Sequence, residues 1–190
     1  MIKDLVLKNR SYRRFYQEHE IQFSFLKELI NLARLSPSGR NLQPLKYFLS
    51  SDSITNEKIF STLSWAAYLK DWNGPEEGEK PSAYIVIMGD TNLTTNFMCD
   101  HGIVSQSMLL GAVEQGLGGC IFASINKKKL QELLNLDESL EILLVIALGK
   151  PKEGVVIEEV KNDDIKYYRD ENQTHHVPKR TIEELIVNNK

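Results

Sequence analysis

Apolar positions between Phe23 and Leu35 recur three and four residues apart, with Phe23, Leu26, Ile30 and Ala33 on one register and Phe25, Leu29 and Leu32 beside it. That spacing predicts an amphipathic helix, which Ser36-Pro37 closes. After a polar loop, residues 46–49 read as a short strand, and Ser53 opens a helical stretch carrying Ile59, Leu63 and Ala67. Residues 70–81 have no period and hold Gly74, Pro75, Gly78 and Pro81, so they predict a surface loop or lid. Tyr84 to Met88 then run apolar without alternation, the pattern of a strand buried on both faces, and stop at Gly89-Asp90.

From Asp100 to Gln115 the apolar residues Ile103, Val104, Met108, Leu109, Leu110, Ala112 and Val113 cover most of a helix circumference, with Ser105, Ser107 and Gly111 among them. Such a helix is buried, either centrally or in a subunit interface. Gly116, Gly118 and Gly119 break it, residues 120–122 form a short strand, and Asn126 caps a helix over residues 127–135. Residues 142–148 are the last strong strand, closed by Gly149-Lys150-Pro151. The tail, 152–190, is mostly polar, with extended character at Val155-Val156-Ile157 and a terminal helix at 181–187; so core-poor a segment is expected to wrap another surface. No internal repeat or second composition regime interrupts the chain, which predicts one α+β domain over residues 1–190.

Composition narrows the function. With 190 residues and 42% hydrophobic content the chain can fill one core without disulfides or a structural metal. A net charge of −3 argues against nucleic acid as the main ligand. Cys99 and Cys120 fit neither a zinc nor a CxxC redox spacing. The N-terminus carries Asp4 inside its short apolar stretch, unlike a signal peptide, and no apolar run approaches the ~20 residues of a membrane span. A soluble, cytoplasmic protein with no membrane partner is expected.

Three segments concentrate candidate chemistry. Asn9-Arg10-Ser11-Tyr12-Arg13-Arg14-Phe15 gathers three guanidinium groups and a hydroxyl, donors suited to phosphate oxygens, though a solvated basic face would look the same. Ser36-Pro37-Ser38-Gly39-Arg40-Asn41-Leu42-Gln43-Pro44 is either an ordinary helix-to-strand loop or a set of donors, freed backbone N–H groups with the Asn41 and Gln43 amides, that reads the edges of a planar heterocycle. Gly116-Leu117-Gly118-Gly119-Cys120 lets backbone approach something flat, or simply ends a helix. Dinucleotide-fold and P-loop glycine motifs are missing, and His19, His101, His175 and His176 stand in no triad spacing.

In this order the segments resemble the nitroreductase family of flavoproteins. Ser11-Tyr12-Arg13-Arg14-Phe15 is similar to the family's Arg-Ser-x-Arg/Lys-x-Phe stretch, and the 36–44 loop to its Pro-Ser-x-x-Asn-x-Gln-Pro loop. The glycine run, Gly149-Lys150-Pro151 and His176-Val177-Pro178-Lys179-Arg180 complete the resemblance, which departs at Asn9, where the family commonly has Arg, and at Leu45, where an aromatic residue is frequent. The resemblance implies a homodimer with FMN at the interface and each C-terminal extension embracing its partner. Arg10 and Ser11 would hold the phosphate with Lys179 and Arg180, and Arg13 would lie at the pyrimidine end as a stabiliser of reduced flavin. Pro37, Ser38, Gly39, Asn41 and Gln43 would contact the ring from the partner's side, with Gly118 and Gly119 at its edge.

The implied activity is ping-pong hydride transfer from NADH or NADPH to nitro compounds, quinones or related small acceptors, with no dedicated catalytic side chain and no metal. The other readings are an ene-reductase, dehalogenase or flavin-consuming branch of the same fold, and a non-catalytic FMN-binding protein.

Overall fold

The computed structural model describes residues 1–188; the last two positions of the predicted tail lie outside it. In chain order it contains α1 (Ile2–Lys8), β1 (Phe15–Tyr16), α2 (Phe23–Leu35), β2 (Leu45–Ser50), α3 (Ser53–Phe60), β3 (Ala83–Asp90), α4 (Asp100–Glu114), β4 (Gly118–Phe122), α5 (Lys127–Leu134), β5 (Leu140–Pro151), β6 (Val155–Glu159), β7 (Tyr168–Arg169), β8 (His175–Lys179) and α6 (Ile182–Leu185). The fold is α+β. None of the helices in the described residues is long and apolar enough to cross a membrane.

β5 organises the main sheet. It pairs antiparallel with β3, which pairs in turn with β2, and also takes β4 and, at Lys150 and Pro151, the two residues of β1 as antiparallel partners. Alternate residues feed two cores. Ala83, Ile85, Ile87, Ile146 and Leu148 pack with Leu26, Leu29, Met108 and Leu109 of α2 and α4. Tyr84, Val86, Met88, Val145 and Ala147 pack with Ile59 of α3 and Leu130 of α5. Two buried faces explain why β3 reads as an unbroken apolar run. A bulge between Ile87 and Met88 leaves Leu143 without an opposite residue, and this flips the parity so that Ile142 joins the second core.

Three expectations need correction. α3 ends at Phe60, and Leu63 instead bridges to Ile125, because the chain turns to bring Trp65 against Phe60 and Phe122. Gly149, Lys150 and Pro151 do not close the last strand but continue it, since β1 and Gly118 supply partners there. The terminal helix is four residues long, Ile182–Leu185, with Thr181 and Glu184 forming a capping box. The tail also holds a three-stranded sheet, β6-β8-β7, that packs back on its own chain.

The centre of the sheet tolerates little loss of volume. Ile146→Ala, at a fully buried position on β5, should cost about 2–5 kcal/mol in urea unfolding.

Candidate functional site

The segment after α1 is fixed by the exposed edge of β4. Ser11 forms a parallel bridge with Gly119, and the Tyr12 N–H donates to the Gly119 carbonyl at 3.0 Å. The close approach depends on the glycines: a Cβ on Gly118 would lie 2.5 Å from the Tyr12 ring, and one on Gly119 2.5 Å from the Ala147 carbonyl oxygen. They therefore admit the chain's own atoms. Arg10 donates one terminal N–H to the Val6 carbonyl at 2.7 Å, while its Nε is buried with no partner. Ser11 beside it is exposed. Arg14 is committed elsewhere, making two 2.6 Å bonds to the Glu79 carboxylate. That fork, with Lys152 assisting against the opposing effect of burial, holds the Glu79 carboxyl down at about 2.

Arg13 is buried beneath the tail. Its terminal N–H donates to His175 Nε2 at 2.9 Å, and its guanidinium lies 4.4 Å over the Tyr167 ring. The Glu153 carboxylate accepts from the backbone N–H groups of Arg13 and Arg14 and from Arg169 at 3.1 Å. Burial first, then the Arg13 and Arg169 charges, pushes His175 down to about 4, so a neutral ring accepts from Arg13. Arg169 also stacks 4.2 Å over Trp72, which meets Trp65 edge-on, and Tyr167 packs against Tyr68. Lid, tail and Arg13 thus form one packed unit.

A second locus is built around Asp100, the first residue of α4 and 4% exposed. The Ser38 hydroxyl donates to one of its carboxylate oxygens at 2.6 Å and the Gly39 N–H to the other at 2.9 Å. Ser38 Oγ in turn accepts from the Gln43 N–H at 2.9 Å. These bonds hold a loop in which Arg40, Asn41 and Gln43 all have positive φ. Below it lies a cavity of ≈ 240 Å³, bounded by Pro37, Ser38 and Gln43 on one side and Leu45, Tyr47 and Val104 on the other. Burial, with Asp100 nearby, pushes the Tyr47 phenol up to about 12. The Cys120 thiol is likewise pushed up to about 11 by burial, which removes it as a nucleophile at neutral pH.

The candidate residues therefore fall into three groups. Arg10, Ser11 and Arg13 share a segment with Gly118 and Gly119. Pro37, Ser38, Gly39, Asn41 and Gln43 form the loop over the cavity. Lys179 ends β8 beside Glu159, and Arg180 pairs with Asp163 and Glu184 inside the tail. Asn9 binds Gln106. Asp100, Glu153 and Glu79 were not singled out in the sequence; Asp100 alone carried a local signal, an acid in the first turn of a helix. Among the described residues no group of His, Cys, Asp and Glu could hold a metal ion.

Comparison with known proteins gives one family. The profile of the nitroreductase family matches residues 6–150. A Bacillus subtilis relative named "Putative NAD(P)H nitroreductase MhqN" is 25% identical over 78% of this chain and 87% of its own. The crystal structure of a nitroreductase family protein from Streptococcus pneumoniae superposes with a TM-score of 0.69 at 16% identity, covering 100% of both chains. An FMN-dependent nitroreductase from Clostridium difficile gives 0.65 at 21% identity, covering 86% of this chain and 92% of its own.

Two measurements follow from the site's geometry. Asp100→Ala removes a buried acceptor from two donors, so it should cost about 1.5–3 kcal/mol in denaturant unfolding and open residues 36–44 to protease. Unfolded His175 takes its proton near 6.5 but the folded ring only at about 4, so falling pH through that window should remove stability. Melting temperatures across pH 4 to 7 should show a shallower fall in His175→Gln than in the parent.

Proposed function

This chain belongs to the nitroreductase family, and from that premise we propose that it is an FMN-dependent NAD(P)H oxidoreductase acting on nitro compounds, quinones or related small acceptors. The observation that carries the reading is the orphaned Arg10 Nε beside the exposed Ser11 hydroxyl. A buried donor without a partner is rare in a folded chain and is what a bound phosphate oxygen would satisfy. The names of the Bacillus subtilis and Clostridium difficile relatives supply the NAD(P)H and FMN parts of the proposal.

The residues fit such a ligand. Arg10 and Ser11 would hold its phosphate, and Pro37, Ser38, Gly39, Asn41 and Gln43 would border the ring, with Asp100 fixing their loop. FMN, when bound, supplies a carrier that accepts a hydride from NAD(P)H and passes it on. Arg13, held by Ser11, His175 and Tyr167, provides a positive charge whose direction is fixed before any ligand arrives. Gly118 and Gly119, by admitting Tyr12 and the Ala147 carbonyl, would hold the Ser11–Tyr12 segment against β4 beside the ring. The aromatics Trp65 and Trp72 are taken up in packing with Phe60, Phe122 and Arg169.

Lys179 and Arg180 lie in the tail, and we assign them to the same phosphate through a homodimer in which the C-terminal extension reaches the second copy. Support comes from α1, which has no buried residue and leaves Ile2, Val6 and Leu7 exposed, and from the exposed Ile103 on α4.

The test is direct. Purified protein should be yellow, release FMN on denaturation and bleach with NADH or NADPH, and double-reciprocal plots at several acceptor concentrations should be parallel. Arg10→Ala should weaken FMN binding by about 1.5–3 kcal/mol. Arg14→Ala, which breaks the Glu79 fork, should leave affinity near the parent value and lower the melting temperature. Saturating FMN that neither binds nor raises the melting temperature would sink the proposal.

A further inference from the structure

A cavity of ≈ 640 Å³ lies away from the proposed flavin residues, between the segment before α2, α3 and residues 77–84. Its size is that of a small-molecule site. Tyr84 lines it, is only 1% exposed, and its hydroxyl is buried with no hydrogen-bond partner. An unpaired buried hydroxyl costs stability unless something completes it. Burial, and after it the Glu57 carboxylate, raises the Tyr84 phenol well above its usual value, and Glu57 lines the same cavity.

The surrounding charge selects the ligand. Glu18, Glu20, Glu57 and Glu77 line the cavity against a single cation, Lys80. Lys80 is already held by Glu57 at 2.8 Å and Glu77 at 3.2 Å and lies 4.8 Å over the Phe60 ring. Here an alkylammonium of the chain itself occupies a carboxylate and aromatic cage, which shows what chemistry the cavity accommodates. Glu18 and Glu20 are exposed and make no ion pair among the described residues. A metal ion does not fit, since among the described residues no group of His, Cys, Asp and Glu could hold one. The N-terminus of α3 faces the same space, but Asp52 already caps it through the Thr55 N–H.

We propose that this cavity is a binding site for a linear aliphatic diamine or polyamine. One ammonium lies at Glu18 and Glu20, the methylene chain runs along Phe23 and Phe60, and a second ammonium donates to the Tyr84 hydroxyl oxygen beside Glu57. None of these residues belongs to the flavin reading, so the site stands independently of it.

Calorimetry and thermal shift of the full chain with 1,5-diaminopentane and spermidine at low ionic strength test the site, with 1,5-pentanediol as the neutral control of equal length. Saturable one-to-one binding and a raised melting temperature are expected for the amines and not for the diol. Tyr84→Phe should weaken binding about tenfold, while raising the melting temperature of the unliganded protein because its orphaned hydroxyl is gone. Glu18→Gln/Glu20→Gln should weaken binding about threefold, and it decides the matter alone if circular dichroism shows Tyr84→Phe unfolded. Arg10→Ala should bind the amines as the parent does. Amine binding that is absent, matched by the diol, or unchanged in whichever of these cavity variants folds would overturn the proposal.

Discussion

The carboxylate of Glu153, whose side chain is fully buried, is the constraint around which the site is arranged. A buried charge must be paired and hydrogen-bonded or it destabilises the fold. Glu153 meets that demand with two consecutive backbone N–H groups, those of Arg13 and Arg14, and with the Arg169 guanidinium. Those three donors come from the start of the chain and from the tail, so satisfying one carboxylate fixes both. With its backbone held, Arg13 places its guanidinium against the Ser11 carbonyl, His175 and Tyr167, and Arg14 reaches Glu79 in the segment between α3 and β3. The lid is thereby anchored by charge at one end and by Trp65 and Trp72 at the other.

Much of the scaffold is written locally. The apolar run of β3 and the stripe of α2 are readable because each records which faces are covered, and the all-round apolar pattern of α4 records a central position with Val104, Met108, Leu109, Ala112 and Val113 buried. What was not readable lies at element ends. Gly149-Lys150-Pro151 has the composition of a stop, yet Phe15 and Tyr16, more than a hundred residues earlier, provide a ladder partner and the strand runs on. The end of α3 at Phe60 follows from an indole arriving from Trp65 rather than from any breaker.

The site divides in the same way. The 36–44 loop was visible as an alternation of donors, and the structure adds the acceptor that fixes it, Asp100, which sequence spacing alone could not connect to Ser38 across 62 residues. Gly118 and Gly119 were legible as positions of close approach but not as to what approaches, since a ring ligand and the Tyr12 side chain make the same demand on a Cβ. Tyr84 sat unnoticed inside a strand that looks wholly apolar, because one phenol in a hydrophobic run carries no periodic signal.

The contact between Arg13 and His175 spans 162 positions of the chain, and that separation bears on how the protein comes into being. Synthesis proceeds from the N-terminus, and early segments fold as they emerge. α2, β3 and α4 can meet while the C-terminal third is still being made, whereas the surroundings of Arg13 stay open until β8 has left the ribosome. Throughout that interval the Arg13 guanidinium lacks His175 and Tyr167, while Arg14 already has Glu79 within the synthesised chain. Products that stop before β8 would keep their core strands yet never enclose Arg13, so the step from a folded chain to a finished site waits on His175.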